Sequence, residues 1–205
     1  MRLLNFIFTL SAVILPGTLA QQECAPYTKS PLFHLRLLAP SDSRLNNSFL
    51  VSSHSGPPFR QLVTSAWYAD RYGSDYQPAE NATRFFFNSS TSANAYPCPG
   101  SNLGWEWNTG IPDSGLNFRT SRVSNSWIAY FYPGVGDVSV GFDDQGKLFY
   151  EEIQESNGVM GRWYRWFVCR TTWASYKYES LVWVVGDKGP DGEGCVSVEV
   201  FREFV

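Results

Sequence analysis

Phe33-His34-Leu35-Arg36-Leu37 alternates apolar and polar side chains, the period of a half-buried β-strand. The same alternation returns at Val138, Val140 and Phe142, split by Ser139 and Gly141, and at Val196, Val198 and Val200 near the C-terminus. Asp143-Asp144-Gln145-Gly146 is a turn between the second of these runs and Leu148-Phe149-Tyr150, so the two runs are expected to form a hairpin. Phe49-Leu50-Val51, Arg84 to Phe87, and Trp127 to Tyr132 are further short strands bounded by turn residues. Arg162 to Cys169 is expected as one aromatic strand, and Ser180 to Val185 as a near-continuous apolar strand of the buried kind. Residues 70–83 are rich in Asp, Gly, Ser and Pro and are expected to form a long loop. Residues 88–126 are mostly Ser, Asn, Gly and Pro, with Trp105 and Trp107 alternating inside them. Past residue 20 only a weak stretch at 61–69 has any helical period.

Short strands with turns every eight to twelve residues point to an all-β fold: a single antiparallel β-sandwich or flattened β-barrel. Composition agrees. Of 205 residues, 43% are hydrophobic and 17% aromatic, enough apolar surface to offset chain entropy. Charged residues are only 17%, too few for a coiled coil, and the net charge is −3. No basic excess exists for a nucleic-acid surface, so no nucleic-acid partner is expected.

Residues 1–20 stand outside that fold. Arg2 is followed by an apolar run from Leu3 to Leu15, then Pro16-Gly17 and the small residues Thr18 and Ala20. This is the pattern of a secretory signal peptide cut before Gln21, leaving 21–205 as a secreted β-domain. The run is too short for the roughly 20 residues that span a bilayer, so no membrane partner is expected after cleavage. Losing Arg2 takes the charge from −3 to −4. In an oxidising compartment Cys24, Cys98, Cys169 and Cys195 are expected to form two disulfides. Three pairings are possible. Cys169 ends an aromatic strand and Cys195 begins the last strand, which favours Cys169–Cys195 with Cys24–Cys98. Asn46, Asn81 and Asn88 each open an N-x-S/T sequon and are candidate glycosylation sites.

Signatures of catalysis are absent from the sequence. His34 and His54 are the only histidines, and neither is spaced with other ligands for a metal. No nucleophile elbow, phosphate-binding loop, dinucleotide turn or calcium loop occurs, and no pair of carboxylates is set by sequence across a cleft. No catalytic residue, metal or cofactor is therefore assigned, and the chain reads as non-enzymatic rather than as an enzyme. The surplus that remains is aromatic. Trp127, Trp163, Trp166 and Trp183 lie in apolar strands and are expected in the core. Trp105, Trp107 and Trp173 lie among polar residues and are the candidate ligand-binding residues.

Trp166-Phe167-Val168-Cys169, Leu181-Val182-Trp183 and Gly194-Cys195-Val196-Ser197-Val198, with Phe33-His34-Leu35 and Val140-Gly141-Phe142 before them, resemble a pattern in small secreted fungal proteins. These are an uncharacterised secreted fungal family and the related phialide-type cell-wall proteins. The resemblance covers the C-terminal third and one N-terminal strand. It implies a secreted or wall-associated all-β domain with a Cys169–Cys195 bridge, and it carries no catalytic residues. The expected function is thus a secreted, non-enzymatic extracellular or cell-wall protein of a fungus. Two alternatives are a ligand-binding module for cell-wall glycans or a small apolar molecule, and an accessory secreted enzyme of a biosynthetic pathway with a pocket in a β-barrel.

Overall fold

The computed structural model describes residues 28–56, 58–73, 82–89, 102–105, 114–120, 124–134, 136, 138–153 and 160–205. The expected signal peptide and Cys24, Asn81, Cys98 and Trp107 lie outside them. In chain order the elements begin with β1 (Thr28–Lys29), β2 (Phe33–Leu38), β3 (Leu50–His54), β4 (Arg60–Thr64) and α1 (Ser65–Tyr72). There follow β5 (Phe85–Ser89), β6 (Asn102–Trp105), β7 (Ser114–Arg119), β8 (Ser126–Pro133), β9 (Val140–Phe142) and β10 (Leu148–Ile153). The last are β11 (Met160–Trp163), β12 (Trp166–Trp173), β13 (Tyr176–Val184), β14 (Val196–Ser197) and β15 (Glu199–Phe204).

Two antiparallel sheets result. The larger has twelve strands, in the order β14-β12-β13-β4-β8-β7-β6-β5-β2-β15, with β1 on β5 and β3 on β4. Its two ends, β14 and β15, are one stretch of chain interrupted only at Val198. On one edge of that stretch the Val198 amide donates to the Trp166 carbonyl at 3.0 Å, and the Arg202 amide to the Gly146 carbonyl at 3.0 Å. On the other edge it pairs with β2 from Glu199↔Leu38 to Phe204↔Phe33. The sheet is a large open one, and this C-terminal stretch is a seam that lies between β12 at one end of its strand order and β2 at the other. The smaller sheet, β11-β10-β9, packs against the concave face. Phe142 meets Phe33 edge-on at 5.3 Å, and Tyr150 meets Trp183 at 4.9 Å.

The core follows from the alternation. Phe33, Leu35 and Leu37 are fully buried while their neighbours in β2 are only half-buried. Trp166 and Trp183 are among the largest fully buried side chains, and the Trp166 indole N–H donates to the Leu148 carbonyl at 3.0 Å. That bond satisfies the indole's single donor and ties the two sheets together. The outer face is covered in two places. Under α1, Val51, Val63 and Tyr178 form a small apolar cluster. Beside the 186–195 loop, Cys169, Val182 and Val184 form another, against Cys195. Cys169 and Cys195 are disulfide-bonded, which fastens that loop to the sheet.

Between these clusters lies a buried polar row. Thr171 and Ser180 share a hydrogen bond of 2.8 Å, and the Ser180 hydroxyl, fully buried, donates to Gln61 Oε1 at 2.9 Å. Three strands, β12, β13 and β4, are thus pinned by side chains as well as by backbone.

Three sequence expectations change. Arg162 to Cys169 is not one strand: it breaks at Tyr164-Arg165, where the chain leaves the small sheet and enters the large one. The first residues of the loop expected over 70–83 are helical, because α1 runs to Tyr72, and residues 74–81 lie outside the described ones. The polar stretch 88–126 contains β6 and β7, in which Asn102, Ser114 and Asn117 are buried. Asn102 there accepts from the Leu116 amide at 3.2 Å and donates to the Gly136 carbonyl at 2.6 Å. Gly104 in β6 passes beneath the Phe86 ring, where a Cβ would lie 2.3 Å from two ring atoms.

Gly104→Ala is accordingly expected to cost about 1–3 kcal/mol, because the added Cβ would have to displace the buried Phe86 ring. Denaturant midpoints measure this, and adding Phe86→Leu should recover part of the loss; additive losses would show that the two do not touch. A second expectation concerns the β9–β10 turn. Burial opposes the charge of Asp143, but hydrogen bonds from the Lys147 amide, the Tyr164 hydroxyl and the Gln145 amide outweigh it and hold its pKa below the ordinary carboxylate value. A depressed carboxylate stabilises the fold at neutral pH and loses that contribution as pH falls through the folded-state pKa. Asp143→Asn should lower Tm at neutral pH and flatten its decline in acid; parallel Tm–pH curves would assign the acid limb to other groups.

Candidate functional site

Thr64 ends β4 and caps α1 directly, with no intervening loop. Its hydroxyl accepts from the Trp67 amide at 3.1 Å and donates to Glu179 Oε2 at 2.8 Å. A threonine cap satisfies one of the free amides of the first turn, and here it also orients a carboxylate on β13. The helix ends at Gly73, whose φ of 101° suits only glycine and whose amide donates to the Ala69 carbonyl at 2.9 Å. Between these caps α1 lays Trp67 against Tyr178, with ring centres 5.2 Å apart, and sets Tyr68 at a tilt to Tyr72, with ring centres 4.4 Å apart. Tyr68 and Tyr72 are four apart in sequence, the spacing that makes helix neighbours.

Two hollows flank this contact and meet at Tyr178. The first, about 570 Å³, lies between Arg44, Trp67 and Asp70 on one side and residues of β12 and β13 on the other, including Arg170, Thr172, Lys177 and Glu179. The second, about 390 Å³, is bounded by His54, Ser55 and Gly56, by Arg71 and Tyr72 of α1, and by Ala174 and Tyr176 at the hairpin tip. Tyr72 and Tyr176 are 58% and 55% exposed, far more than a packing role requires. Burial raises the pKa of the Tyr178 hydroxyl between the two hollows; Arg71 nearby opposes this, while Tyr72 and Tyr176 add to it.

Glu179 is engaged rather than free. Arg44 grips it with both terminal nitrogens, one at 2.9 Å and one closer, and this hydrogen bonding raises the Arg44 pKa. The Ser55 hydroxyl donates to the Phe59 carbonyl at 3.2 Å instead of to a base. What the hollows offer is aromatic faces beside hydroxyls and charged groups, an arrangement for holding a polar ligand with apolar ring faces.

The tip of the β12–β13 hairpin shapes the second hollow. Trp173 pairs with Tyr176, and the two residues between, Ala174 and Ser175, have φ of 46° and 70°. Both signs are those of a type I′ turn, whose usual residues are Asn and Gly. Left-handed backbone costs about 1–2 kcal/mol per ordinary residue, so this tip is held under strain next to the hollow.

Of the candidate ligand-binding residues, Trp173 and Trp105 do not line the hollows, and Trp107 lies outside the described residues. Trp173 is half-buried; its ring centre lies 5.5 Å from that of Phe59, and Arg119 covers it at 3.6 Å. Trp105 is half-buried against the main core, with the Arg60 guanidinium 4.9 Å from its ring centre. Among the sequon residues, Asn46 is half-buried, and its Oδ1 accepts from the Ala39 amide at 3.1 Å. Asn88 is half-buried in β5, opposite Lys29 and Asn102. The exposed rings of the hollows, Tyr72 and Tyr176, were not singled out by the sequence, and neither was Trp67. The i,i+4 spacing of Tyr68 and Tyr72 was the available signal.

Compared with known proteins, the chain matches the family model described as a domain of unknown function (DUF7907) over residues 30–204. No curated protein and no solved structure matches it.

The strained tip yields a direct expectation. Ala174→Asn with Ser175→Gly should stabilise the protein by about 1 kcal/mol, raising Tm by about 2–4 °C. Differential scanning calorimetry reads the shift, and an unchanged or lower Tm would mean the tip is not strained.

Proposed function

The chain belongs to the DUF7907 family, a domain of unknown function, and we propose that it is a secreted, non-enzymatic protein that binds glycans of the cell wall. The observation that carries this reading is the pair of hollows joined at Tyr178 and walled by Trp67, Tyr72 and Tyr176. Sugars present apolar C–H faces and polar edges, and aromatic rings flanked by hydroxyl and charged groups match both. The apolar leader pattern at residues 1–20 and the Cys169–Cys195 disulfide support an extracellular setting. The wall-associated and fungal setting rests on the resemblance to phialide-type proteins.

The test is retention on insoluble wall polysaccharides, together with calorimetric titration of soluble oligosaccharides. Tyr176→Ala and Trp67→Ala should each weaken binding by about tenfold or more, equivalent to 1.4 kcal/mol. Because Tyr176 is exposed, its variant should keep the parent Tm. No retention, and tryptophan fluorescence unmoved across the panel, would end the glycan reading. Finding the protein in the cell lysate and never in the culture medium would end the extracellular one.

A further inference from the structure

The two hollows differ in charge. The first sets three cations, Arg44, Arg170 and Lys177, against two carboxylates, Asp70 and Glu179. The second is bounded by Arg71 and by no carboxylate among the described residues. Arg71 is exposed in the last turn of α1, with its guanidinium carbon 5.5 Å from the ring centre of Trp67, 5.6 Å from Tyr176 and 5.9 Å from Tyr72. Cation–π contact with three rings holds the group in place. Those rings give it no acceptor of the carboxylate kind, and no described acidic side chain forms an ion pair with it. A guanidinium so placed keeps a planar fork of N–H donors that fits a carboxylate with two hydrogen bonds. Over both hollows the cations outnumber the carboxylates by four to two, in a chain whose net charge is −3. A local excess opposed to the overall charge is the pattern of a surface that selects anions.

We propose that the second hollow is an acid-reading subsite: it takes the carboxylate of a uronic acid residue on Arg71 while the sugar ring lies against Tyr72 or Tyr176. The proposal rests on the glycan reading above and specifies its substrate class, an acidic polysaccharide. A uronate carries its carboxylate directly on the sugar ring, so one ligand residue meets both the tyrosine face and the guanidinium beside it. His54 also borders this hollow.

Calorimetric titration of the full chain with oligogalacturonate and with a neutral galactan oligomer of equal length tests this. The acidic oligomer should bind about tenfold or more tightly, with an advantage that shrinks as salt rises. Arg71→Gln should abolish the preference, bringing the acidic oligomer to the same affinity as the neutral one. Arg71→Lys, which keeps the charge but not the planar fork, should retain only part of it. Equal affinity for the two oligomers, or an Arg71→Gln variant that keeps the preference, overturns the subsite. Neutral binding that depends on Trp67 without any acid preference overturns the subsite and leaves the glycan reading standing, whereas no binding of either oligomer removes both.

Discussion

The fold depends on one strand that is bonded along both edges. Residues 196–204 give their hydrogen bonds to β12 and the β9–β10 turn on one side and to β2 on the other. Without that seam the large sheet would have two free ends, each a row of unpaired amides and carbonyls open to another chain. With it, the ends satisfy each other. The alternation of Val196, Val198 and Val200 makes this possible, because it keeps one side of the seam in the core while both edges are engaged. The disulfide lies beside the seam, joining β12 to the residue that immediately precedes β14.

The site is a by-product of how the outer face is covered. A sheet bent round a core buries its concave side, but its convex side needs separate cover wherever apolar side chains point outward. Val51, Val63 and Tyr178 do so, and α1 supplies the cover. Eight residues of helix are too short to cover the hairpin beyond Tyr178, so β12 and β13 run on past it to the Trp173–Tyr176 tip. The hollows are the space left between helix and hairpin. Of their aromatic walls, Trp67 and Tyr178 belong to the small cluster, while Tyr72 and Tyr176 stand in solvent.

Much of the fold was legible because alternation survives in the strands that bury one face. Phe33 to Leu38 and the Val140–Tyr150 hairpin follow it closely. The strands β6 and β7 were hidden because their burial is polar: Asn102, Ser114 and Asn117 are buried where the pattern leads one to expect apolar residues. The break at Tyr164-Arg165 was hidden because residues on both sides of it are aromatic and suit either sheet. The Cys169–Cys195 pairing was readable from strand placement. The hollows were not, since their walls come from three distant segments, around residues 44–56, 67–72 and 170–179. The count of aromatic residues pointed to a surface of this kind, and only topology could say which rings remain outside.

The buried row Thr171–Ser180–Gln61 has a meaning for the uniqueness of the fold. If β13 slid by one residue, every apolar side chain would exchange faces, and burial alone forbids that. A slide of two residues keeps each side chain on its own face, so hydrophobicity barely penalises it. The polar row does. In the shifted alignment Ser180 would no longer reach Gln61 Oε1 or share its bond with Thr171. Each polar group left dry and unpaired would cost about 1–3 kcal/mol. Three small polar side chains thus act as a key that distinguishes one alignment of β4, β12 and β13 from its nearest competitor. The position of the hairpin tip relative to the helix, and with it the shape of the second hollow, is inherited from that key.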